Sequence, residues 1–573
     1  MEDTLKGRPI KRFFRLLEPD RKEVVYIYLY AIFNGLINLS LPLGIQAIIS
    51  LILADEISSS WVILIVVVTV GTAMAGGLQI MQVTITEMLQ QKIFARASFE
   101  FAYRIPRIKA EKLLKYYPPE LVNRFFDVMN VQKGLPKILI DFSTASLQIL
   151  FGLILLSFYN SAFVFFGIGL LVILVLIFRI SGPSGLRTSL EESNYKYEVV
   201  YWLEEIARTL TNFKLAGNSN LPLKKTDALV SNYLDARKAH FRVLIFQYAN
   251  IVGFKTIVTA GLLILGSVLL IQREINIGQF VASEIIIITI ISSVEKLILS
   301  MDTVYDLLTA MEKIGKVTDM PLEAQKGLEY RDDVDARGME LTLRDLKFSY
   351  PGDLRPSLND VDLDIKPGEK VAIIGNVGAG QTLLTGLISG LYDSFEGVIA
   401  YNGIPLNNYD RQSLRSNIGD ILSRNVLFRG TLEENITMGR EEIDYDDLRW
   451  VIDNLDLREF IQRMPEGLNT MLVPEGPQMP PSVVRRLIIA KSVIKRPSLL
   501  VMEDFIPDRE PDIKEKIANF LTQSDLWTLI GASNDPLFVS KCEKVVVMDH
   551  GTILEVGTYE EISQKPYFKN FVS

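Results

Sequence analysis

The hydrophobic residues of this chain are concentrated before residue 300. A helix of ~20 apolar residues spans the hydrocarbon layer of a membrane. Runs of at least that length with few charges lie at about 24–53, 62–85, 138–158, 161–180, 244–271 and 276–299. The pattern therefore predicts six membrane-spanning helices. The first run is too long and begins too far into the chain for a cleavable signal peptide, so we expect it to remain in the mature protein.

The positive charges between these runs predict the orientation. Lys and Arg are frequent in 86–137 and in 179–243, whereas the connections at 54–61, 159–160 and 272–275 contain one cation, Arg273. Because positively charged connections stay in the cytoplasm, we expect both termini to be cytoplasmic in a cytoplasmic (inner or plasma) membrane. The two long segments have helical composition and little glycine, which indicates helices that continue beyond the bilayer.

After residue 300 the pattern changes to that of a soluble domain. We expect an interfacial helix over 1–23, a six-helix membrane domain over 24–320, an acidic linker over 321–338 and an α/β domain over 339–573. Strands are predicted at Met339–Tyr350, Leu358–Ile365 and Lys370–Ile374.

Composition excludes several classes of protein. Hydrophobic residues make up 49% of the chain and charged residues 22%, which is unlike a disordered or collagen-like chain. The net charge of −8 provides no basic surface, so no nucleic-acid partner is expected. A lone Cys542 excludes an intramolecular disulfide.

A glycine-rich segment follows the predicted strand Lys370–Ile374. It reads Gly375-Asn376-Val377-Gly378-Ala379-Gly380-Gln381-Thr382, and an apolar helix begins behind it. Strand, glycine loop and helix in this order allow backbone N–H groups to surround phosphates at a helix N-terminus. The glycines match the phosphate loop, but Gln381 stands where lysine is expected.

These features together resemble a half-transporter of the ABC exporter family over essentially the whole chain. Two further segments support the resemblance, Phe348–Gly352 and Leu427–Ile436. It implies a six-helix membrane domain with long cytoplasmic helical extensions, a phosphate-loop α/β nucleotide-binding domain, ATP with magnesium, and a homodimer or heterodimer in the lipid bilayer. It also implies that the nucleotide contacts Tyr350, Gly375, Asn376, Gly378, Ala379, Gly380, Gln381, Thr382 and Leu383.

The membrane part resembles the branch that exports peptides and proteins. The matching segments are Ile277-Gly278-Gln279 and Glu120–Phe125. This resemblance suggests a peptide or protein substrate and a periplasmic adaptor as a partner, while lipids and drug-like molecules are exported by the same architecture. No peptidase-like domain precedes the first span, so we do not expect processing of a leader peptide.

Several positions depart from the family pattern in the phosphate-loop half of the site. Gln381 brings no positive charge, and a charge-assisted hydrogen bond contributes roughly 1.5–3 kcal/mol. The acidic pair that follows the strand Leu499–Met502 is inverted, with Glu503 in place of the magnesium-associated Asp and Asp504 in place of the catalytic Glu. Magnesium demands near-ideal octahedral geometry. Thr382 still suits magnesium, whereas Glu503 is a poor ligand.

The other half of the site departs from the pattern as well. The signature loop, Leu-Ser-Gly-Gly-Gln in the family, aligns with Met479, Pro480, Pro481, Ser482 and Val483, just ahead of Arg485. Proline has no N–H to offer a phosphate. The remaining positions of the domain also differ: Ser423 replaces the family's glutamine, Asn534 its switch histidine, and Pro507–Glu510 its Ser-Ala-Leu-Asp segment.

The family builds each site from the phosphate loop of one subunit and the signature loop of the other. Since this chain alters both, neither site is complete in a homodimer or in a heterodimer. We therefore predict an exporter half-transporter whose degenerate domain binds ATP weakly or not at all. A pseudo-ATPase acting as a structural or regulatory subunit is the alternative, and slow hydrolysis with Asp504 as base is a third.

Four polar residues in the predicted spans are candidates for the membrane pathway. Glu284 in the sixth span either binds a cationic substrate group or pairs with Lys255 of the fifth. Asn34 and Asn38 share one face of the first span with Tyr30 and either line a cavity or bond between helices.

Overall fold

The computed structural model describes residues 8–53, 59–114, 116–324, 326–331, 338–353, 355–422, 426–473, 479–504 and 511–572. The chain forms two compact units. One comprises Met1–Pro106 and Tyr116–Met320, and the other Arg107–Lys115 and Pro321–Ser573.

The first unit is helical, and one short helix within its sequence range, α5, belongs to the second unit. In chain order the helices are α1 (Arg8–Leu17), α2 (Arg21–Asn38), α3 (Ser40–Leu53), α4 (Ser59–Arg104), α5 (Ala110–Leu113), α6 (Pro118–Asn123), α7 (Asp127–Pro136), α8 (Ser143–Ser157), α9 (Ser161–Arg208), α10 (Leu210–Leu215), α11 (Leu221–Ile271), α12 (Ile277–Leu299) and α13 (Met301–Thr318).

Six helical segments of the described chain are long and apolar enough to cross a membrane, as the sequence predicts. The predicted helical extensions are confirmed too. Helix α4 continues to Arg104, α9 continues to Arg208, and α11 begins at Leu221, so each is far longer than the ~20 residues that a span requires.

Local sequence explains where the spans begin. The Asn160 side chain accepts a hydrogen bond of 2.8 Å from the N–H of Ala162 and caps α9. Asn276 and Gln279 form a reciprocal capping box at the start of α12, with hydrogen bonds of 2.7 and 2.9 Å. The Ile277–Gln279 segment, singled out in the sequence, therefore has a structural role as a helix start.

The buried core of this unit lies between α8, α9, α11 and α12, where Leu156, Val258 and Ile287 are fully buried. Conversely, α4 exposes large apolar side chains, among them Ile63 and Val66. An exposed apolar stripe of this size suits contact with lipid or with a partner helix.

The second unit is an α/β domain of twelve strands among the described residues. These are β1 (Leu341–Phe348), β2 (Leu358–Ile365), β3 (Lys370–Gly375), β4 (Glu396–Tyr401), β5 (Ile404–Pro405), β6 (Ile418–Ile421), β7 (Gly430–Thr431), β8 (Met471–Leu472), β9 (Leu499–Glu503), β10 (Thr528–Ala532), β11 (Lys544–Asp549) and β12 (Thr552–Thr558).

Its helices are α14 (Gln381–Ile388), α15 (Arg411–Ser416), α16 (Leu432–Thr437), α17 (Tyr445–Asn454), α18 (Arg458–Gln462), α19 (Pro481–Val493), α20 (Pro511–Gln523), α21 (Pro536–Val539), α22 (Tyr559–Ser563) and α23 (Phe568–Phe571).

The strands form two main sheets. A six-stranded sheet has the order β12-β11-β3-β10-β9-β6 and is parallel except for β12, and a four-stranded antiparallel sheet has the order β2-β1-β4-β5. In the parallel sheet Ala532 pairs with Ile373 on one side and with Glu503 on the other. The carboxyl ends of β3, β10 and β9 therefore meet at one edge, which is where ligands of open α/β sheets bind.

Candidate functional site

The loop after β3 has the backbone shape of a phosphate cradle. Gly378 and Gly380 have φ of 88° and 99°, in the left-handed region that favours glycine. A Cβ on Gly375 would lie 2.4 Å from the main-chain oxygen of Met548, and one on Gly380 would lie 2.8 Å from Leu358. Helix α14 begins at Gln381, and Gly380 is its N-cap residue. Exposed N–H groups at such a helix start attract anions.

The side chain at the lysine position contacts the domain itself. Gln381 Nε2 donates a hydrogen bond of 3.0 Å to the main-chain oxygen of Ile373 in β3. The neutral residue therefore uses its donor to join the first turn of α14 to the strand before the loop.

Asn534 fastens the other end of the loop. Its Oδ1 accepts from the N–H of Gly375 at 3.1 Å, and its Nδ2 donates to the carbonyl of Gly375 at 2.9 Å. The residue at the switch-histidine position thus pairs with the main chain where β3 enters the phosphate loop. Gln381 and Asn534 together fix both ends of that loop.

Glu503 ends β9 and is 4% exposed. Its Oε1 accepts a hydrogen bond of 2.8 Å from Oγ1 of the fully buried Thr385. Thr382, one turn earlier on α14, is exposed. The carboxylate at the magnesium-associated position is therefore bonded to a hydroxyl group deeper in the domain than the threonine that would ligate the metal.

Asp504 follows Glu503 and is exposed. Its φ is 48°, and its N–H donates to the main-chain oxygen of Ala532 at 3.0 Å. Arg485 of α19 donates to the main-chain carbonyls of both Glu503 and Asp504. Burial lowers the pKa of Arg485, and the carboxylates of Asp504 and Glu503 oppose that shift.

The segment aligned with the signature loop starts α19. Pro480 precedes the helix, and its carbonyl accepts from the N–H groups of Val483 and Val484 at 2.9 and 3.1 Å. Pro480 and Pro481 have no N–H. Of the five aligned positions, three thus lack an N–H or use it within the helix, while Met479 packs against the core and Ser482 is half-buried.

Tyr350, the aromatic residue expected to contact the nucleotide, packs against another aromatic ring. The Tyr350 ring packs edge-on against Phe348 at 5.2 Å between centroids and is half-buried. Phe348 in turn packs against Tyr392 at 5.1 Å.

Two sequence-predicted elements, Ser423 and Pro507–Glu510, lie outside the described residues. Of the remaining candidates, Asn376 and Gly378 are exposed, and Ala379 and Leu383 are buried. No group of three or more His, Cys, Asp or Glu residues that would suit a metal ion occurs in the described part of the chain.

Two residues of this site were missed by sequence reasoning. Thr385 lies one turn beyond Thr382 on the same face of α14. This spacing in the sequence could have identified Thr385 as a residue of the site. Arg485 appears in the sequence only as the residue behind the altered signature loop. Its contact with the end of β9 depends on the packing of α19, which no local pattern encodes.

The structure contradicts one of the two alternatives predicted for Glu284. Lys255 forms an ion pair with Glu295 of α12, so the suggested pair between Lys255 and Glu284 is wrong. Glu295 lies three helical turns beyond Glu284, which places the two carboxylates at different depths. Glu284 is half-buried and has no hydrogen bond or ion pair within the described chain.

Asn34 and Asn38 bond to each other rather than between helices. Asn38 Nδ2 donates to Asn34 Oδ1 at 2.8 Å along α2. Asn34 is buried, whereas Asn38 is exposed.

Comparison with known proteins agrees with this architecture. The model of the ABC transporter transmembrane region matches residues 24–294, and that of the ABC transporter matches residues 358–505. A solved structure of a bacterial Atm1-family ABC exporter with ATP bound has the same fold, with a TM-score of 0.82, 17% identity, and coverage of 96% of this chain and 97% of that one.

Two curated relatives illustrate the range of similar proteins. The ATP-dependent lipid A-core flippase of Thiobacillus denitrificans is 29% identical over 293 residues, which is 51% of this chain and 50% of the flippase. This match therefore spans about half of the flippase. The transport/processing ATP-binding protein ComA of Streptococcus pneumoniae is 23% identical over 567 residues, 98% of this chain and 78% of ComA. The chain belongs to the ABC transporter family and is a half-transporter of the exporter type.

Proposed function

We propose that this chain works as one half of a dimeric exporter in the cytoplasmic membrane, with a nucleotide domain that binds ATP but hydrolyses it slowly or not at all. The observation that carries the proposal is the hydrogen bond from Gln381 to Ile373 beside an intact phosphate-loop backbone. The cradle for phosphate is retained, while the group in the lysine position is neutral and already bonded.

The family implies ATP with magnesium, and the residues present fit only part of that ligand. The N–H groups of the loop and of the first turn of α14 would hold the phosphates, and Tyr350 would contact the base. The Thr382 hydroxyl is exposed and suits a metal ion. Glu503 does not fit, because its carboxylate is buried against Thr385.

The signature segment supports slow or absent turnover. Hydrolysis in this family needs N–H donors from that segment of the partner subunit. Pro480 and Pro481 supply none, and the N–H of Val483 is bonded within α19. Both a homodimer and a heterodimer would therefore contain incomplete sites.

The membrane arrangement follows from charge and helix length. We propose that residues 1–23 lie on the inner surface, that 24–320 form the membrane domain, and that a linker at 321–338 leads to the nucleotide domain at 339–573. Exposed Ile10 and Phe14 on α1 beside Lys11 and Arg15 support the first assignment. The cations around the long extensions support cytoplasmic termini.

The substrate class follows from similarity. The resemblance of Ile277–Gln279 and Glu120–Phe125 to exporters of peptides and proteins supports a peptide or protein. The similarity to the lipid A-core flippases supports a lipid-like molecule. We propose outward movement of one of these two classes, with a periplasmic adaptor as partner in the first case. Glu284 is the candidate contact for a cationic substrate group.

A second function is favoured by a separate observation. Gln381, Arg485 and Asn534 all donate to main-chain carbonyls of the site itself. A domain stabilised in this way keeps its shape without nucleotide, as a catalytically inactive structural or regulatory subunit of a transport complex would require.

The functions are separated by measuring ATP binding and magnesium-dependent hydrolysis on purified full-length protein in lipid nanodiscs. Binding without turnover supports the proposed exporter half, and transport assays with an intact partner half-transporter then extend it. Absence of binding favours the structural subunit. Turnover at an ordinary rate that Asp504→Asn abolishes would show that Asp504 is the base and contradict both.

A further inference from the structure

The acidic end of β9 is neutralised from within the domain. Glu503 and Asp504 follow each other there, and Arg485 of α19 donates to the main-chain carbonyls of both. The guanidinium group also interacts electrostatically with both carboxylates. A fixed positive charge therefore lies next to the two acids that a magnesium ion would otherwise balance.

Glu503 is not placed to ligate a metal. Its Oε1 accepts from the Thr385 hydroxyl at 2.8 Å, and the residue is 4% exposed. Magnesium requires oxygen ligands at about 2.0–2.1 Å in near-octahedral geometry and retains several waters. Bringing Glu503 to such an ion would break this buried hydrogen bond and leave the Thr385 hydroxyl without its carboxylate acceptor.

The lysine position of the phosphate loop carries no cation. Gln381 is neutral and bonded to Ile373 at 3.0 Å. The remaining attraction for phosphate comes from main-chain N–H groups and from the start of α14, and these contacts need no metal.

We propose that nucleotide binding to this domain does not depend on magnesium, because Arg485 is the built-in counter-cation of Glu503 and Asp504 and Thr385 holds Glu503 away from the metal position. The inference rests on the proposed retention of nucleotide binding. It makes Arg485 and Thr385 positioning residues of the site.

The test compares the affinity of full-length protein in nanodiscs for a fluorescent ATP analogue in magnesium and in EDTA. We expect the two Kd values to agree within about threefold. This ratio corresponds to a difference of less than 1 kcal/mol in the free energy of binding. A Kd at least about tenfold weaker in EDTA, equivalent to 1.4 kcal/mol, would overturn the inference. Absence of binding in both buffers would overturn it as well.

Two variants identify the residues responsible. Glu503→Asp removes one methylene and should free the carboxylate from Thr385, so binding should become about tenfold stronger in magnesium than in EDTA. Arg485→Gln should weaken binding about tenfold in EDTA and in magnesium alike, because Thr385 still holds Glu503 away from the metal position. Arg485→Lys keeps the charge and is the matched control, for which we expect magnesium-independent binding. Binding by Arg485→Gln that is unchanged in EDTA would contradict the role of Arg485.

A measurement on the unaltered protein tests the inference even if the variants do not fold. Electron paramagnetic resonance measures free Mn²⁺. Its signal should fall no further when the protein and a nucleoside diphosphate are added together than when the nucleoside diphosphate is added alone. Stoichiometric extra binding would overturn the inference. ATP turnover is recorded in parallel, because magnesium-dependent binding without turnover contradicts this inference alone, whereas turnover at an ordinary rate contradicts the proposed function.

Discussion

The phosphate loop and the signature segment are the two halves of the expected site, and each subunit of the dimer contributes one half to each site. The two segments nevertheless differ in how far they keep the family pattern. The loop keeps its glycines because the fold itself needs them, since a side chain on Gly375 would collide with the backbone of Met548. The signature segment begins α19, and Pro480–Pro481 starts a helix at least as well as Ser-Gly. Under the proposed function, glycines that the fold itself requires are retained, whereas side chains at the positions proposed for phosphate contact and catalysis differ from the family pattern.

The first prediction concerns the phosphate loop and has the largest expected effect. Gly375→Ala places a methyl group 2.4 Å from the Met548 main-chain oxygen, so the backbone must shift. We expect a loss of about 3 kcal/mol in the stability of the nucleotide domain. Chemical denaturation of the purified protein measures it.

Gly378→Ala is its matched control. A Cβ there meets no atom within 4 Å, so only the positive φ of 88° opposes the substitution. The expected loss is about 1 kcal/mol. Equal losses for the two variants would contradict the argument that packing preserves the loop.

The second prediction concerns Asn534. Asn534→Ala removes both hydrogen bonds to Gly375, and we expect a loss of about 2 kcal/mol from two hydrogen bonds of roughly 1 kcal/mol each. Amide hydrogen exchange of residues 375–382 should accelerate accordingly. Asn534→Asp keeps the acceptor but sets a carboxylate oxygen against the Gly375 carbonyl oxygen, so it should destabilise at least as much as the alanine variant. Unchanged exchange in the alanine variant would mean that Asn534 does not hold the loop.

The third prediction concerns the signature segment. Changing Pro480–Pro481 to Ser-Gly should alter stability by less than about 0.5 kcal/mol, because the fold does not depend on these prolines beyond starting the helix. ATP turnover should remain absent, since groups that act together restore activity only together. Adding Gln381→Lys, Ser423→Gln, Asn534→His and the Glu503→Asp/Asp504→Glu exchange should then produce measurable hydrolysis. Turnover from the Ser-Gly change alone would contradict this view.

The smallest expected effect lies in the membrane unit. Lys255→Met breaks the ion pair with Glu295, whose partly exposed groups make the pair worth about 1 kcal/mol or less. Glu284→Gln breaks no ion pair of the described chain and should change stability less still. Thermal unfolding in one detergent compares the two variants. A larger loss from Glu284→Gln would indicate a partner for Glu284 in the assembled dimer.

Much of the fold was predictable, because its signals are local. Apolar runs long enough to cross a membrane predict the spans, and strand, glycine loop and helix are adjacent in sequence at Lys370–Ile388. The side-chain partners were not predictable. Gln381 bonding to Ile373, Arg485 reaching β9 and Lys255 pairing with Glu295 depend on the packing of separate elements. Sequence thus identified the altered residues, and the structure shows the contacts that they make.

Magnesium-dependent ATP hydrolysis by the purified full-length chain tests the central claim most directly. Enzyme kcat values are commonly 1 s⁻¹ or higher, and a misplaced general base alone removes ~10²–10⁴ of rate. We therefore expect kcat at least about 100-fold below 1 s⁻¹, with Asp504→Asn changing nothing. Hydrolysis at or above about 1 s⁻¹ that Asp504→Asn abolishes would contradict the account.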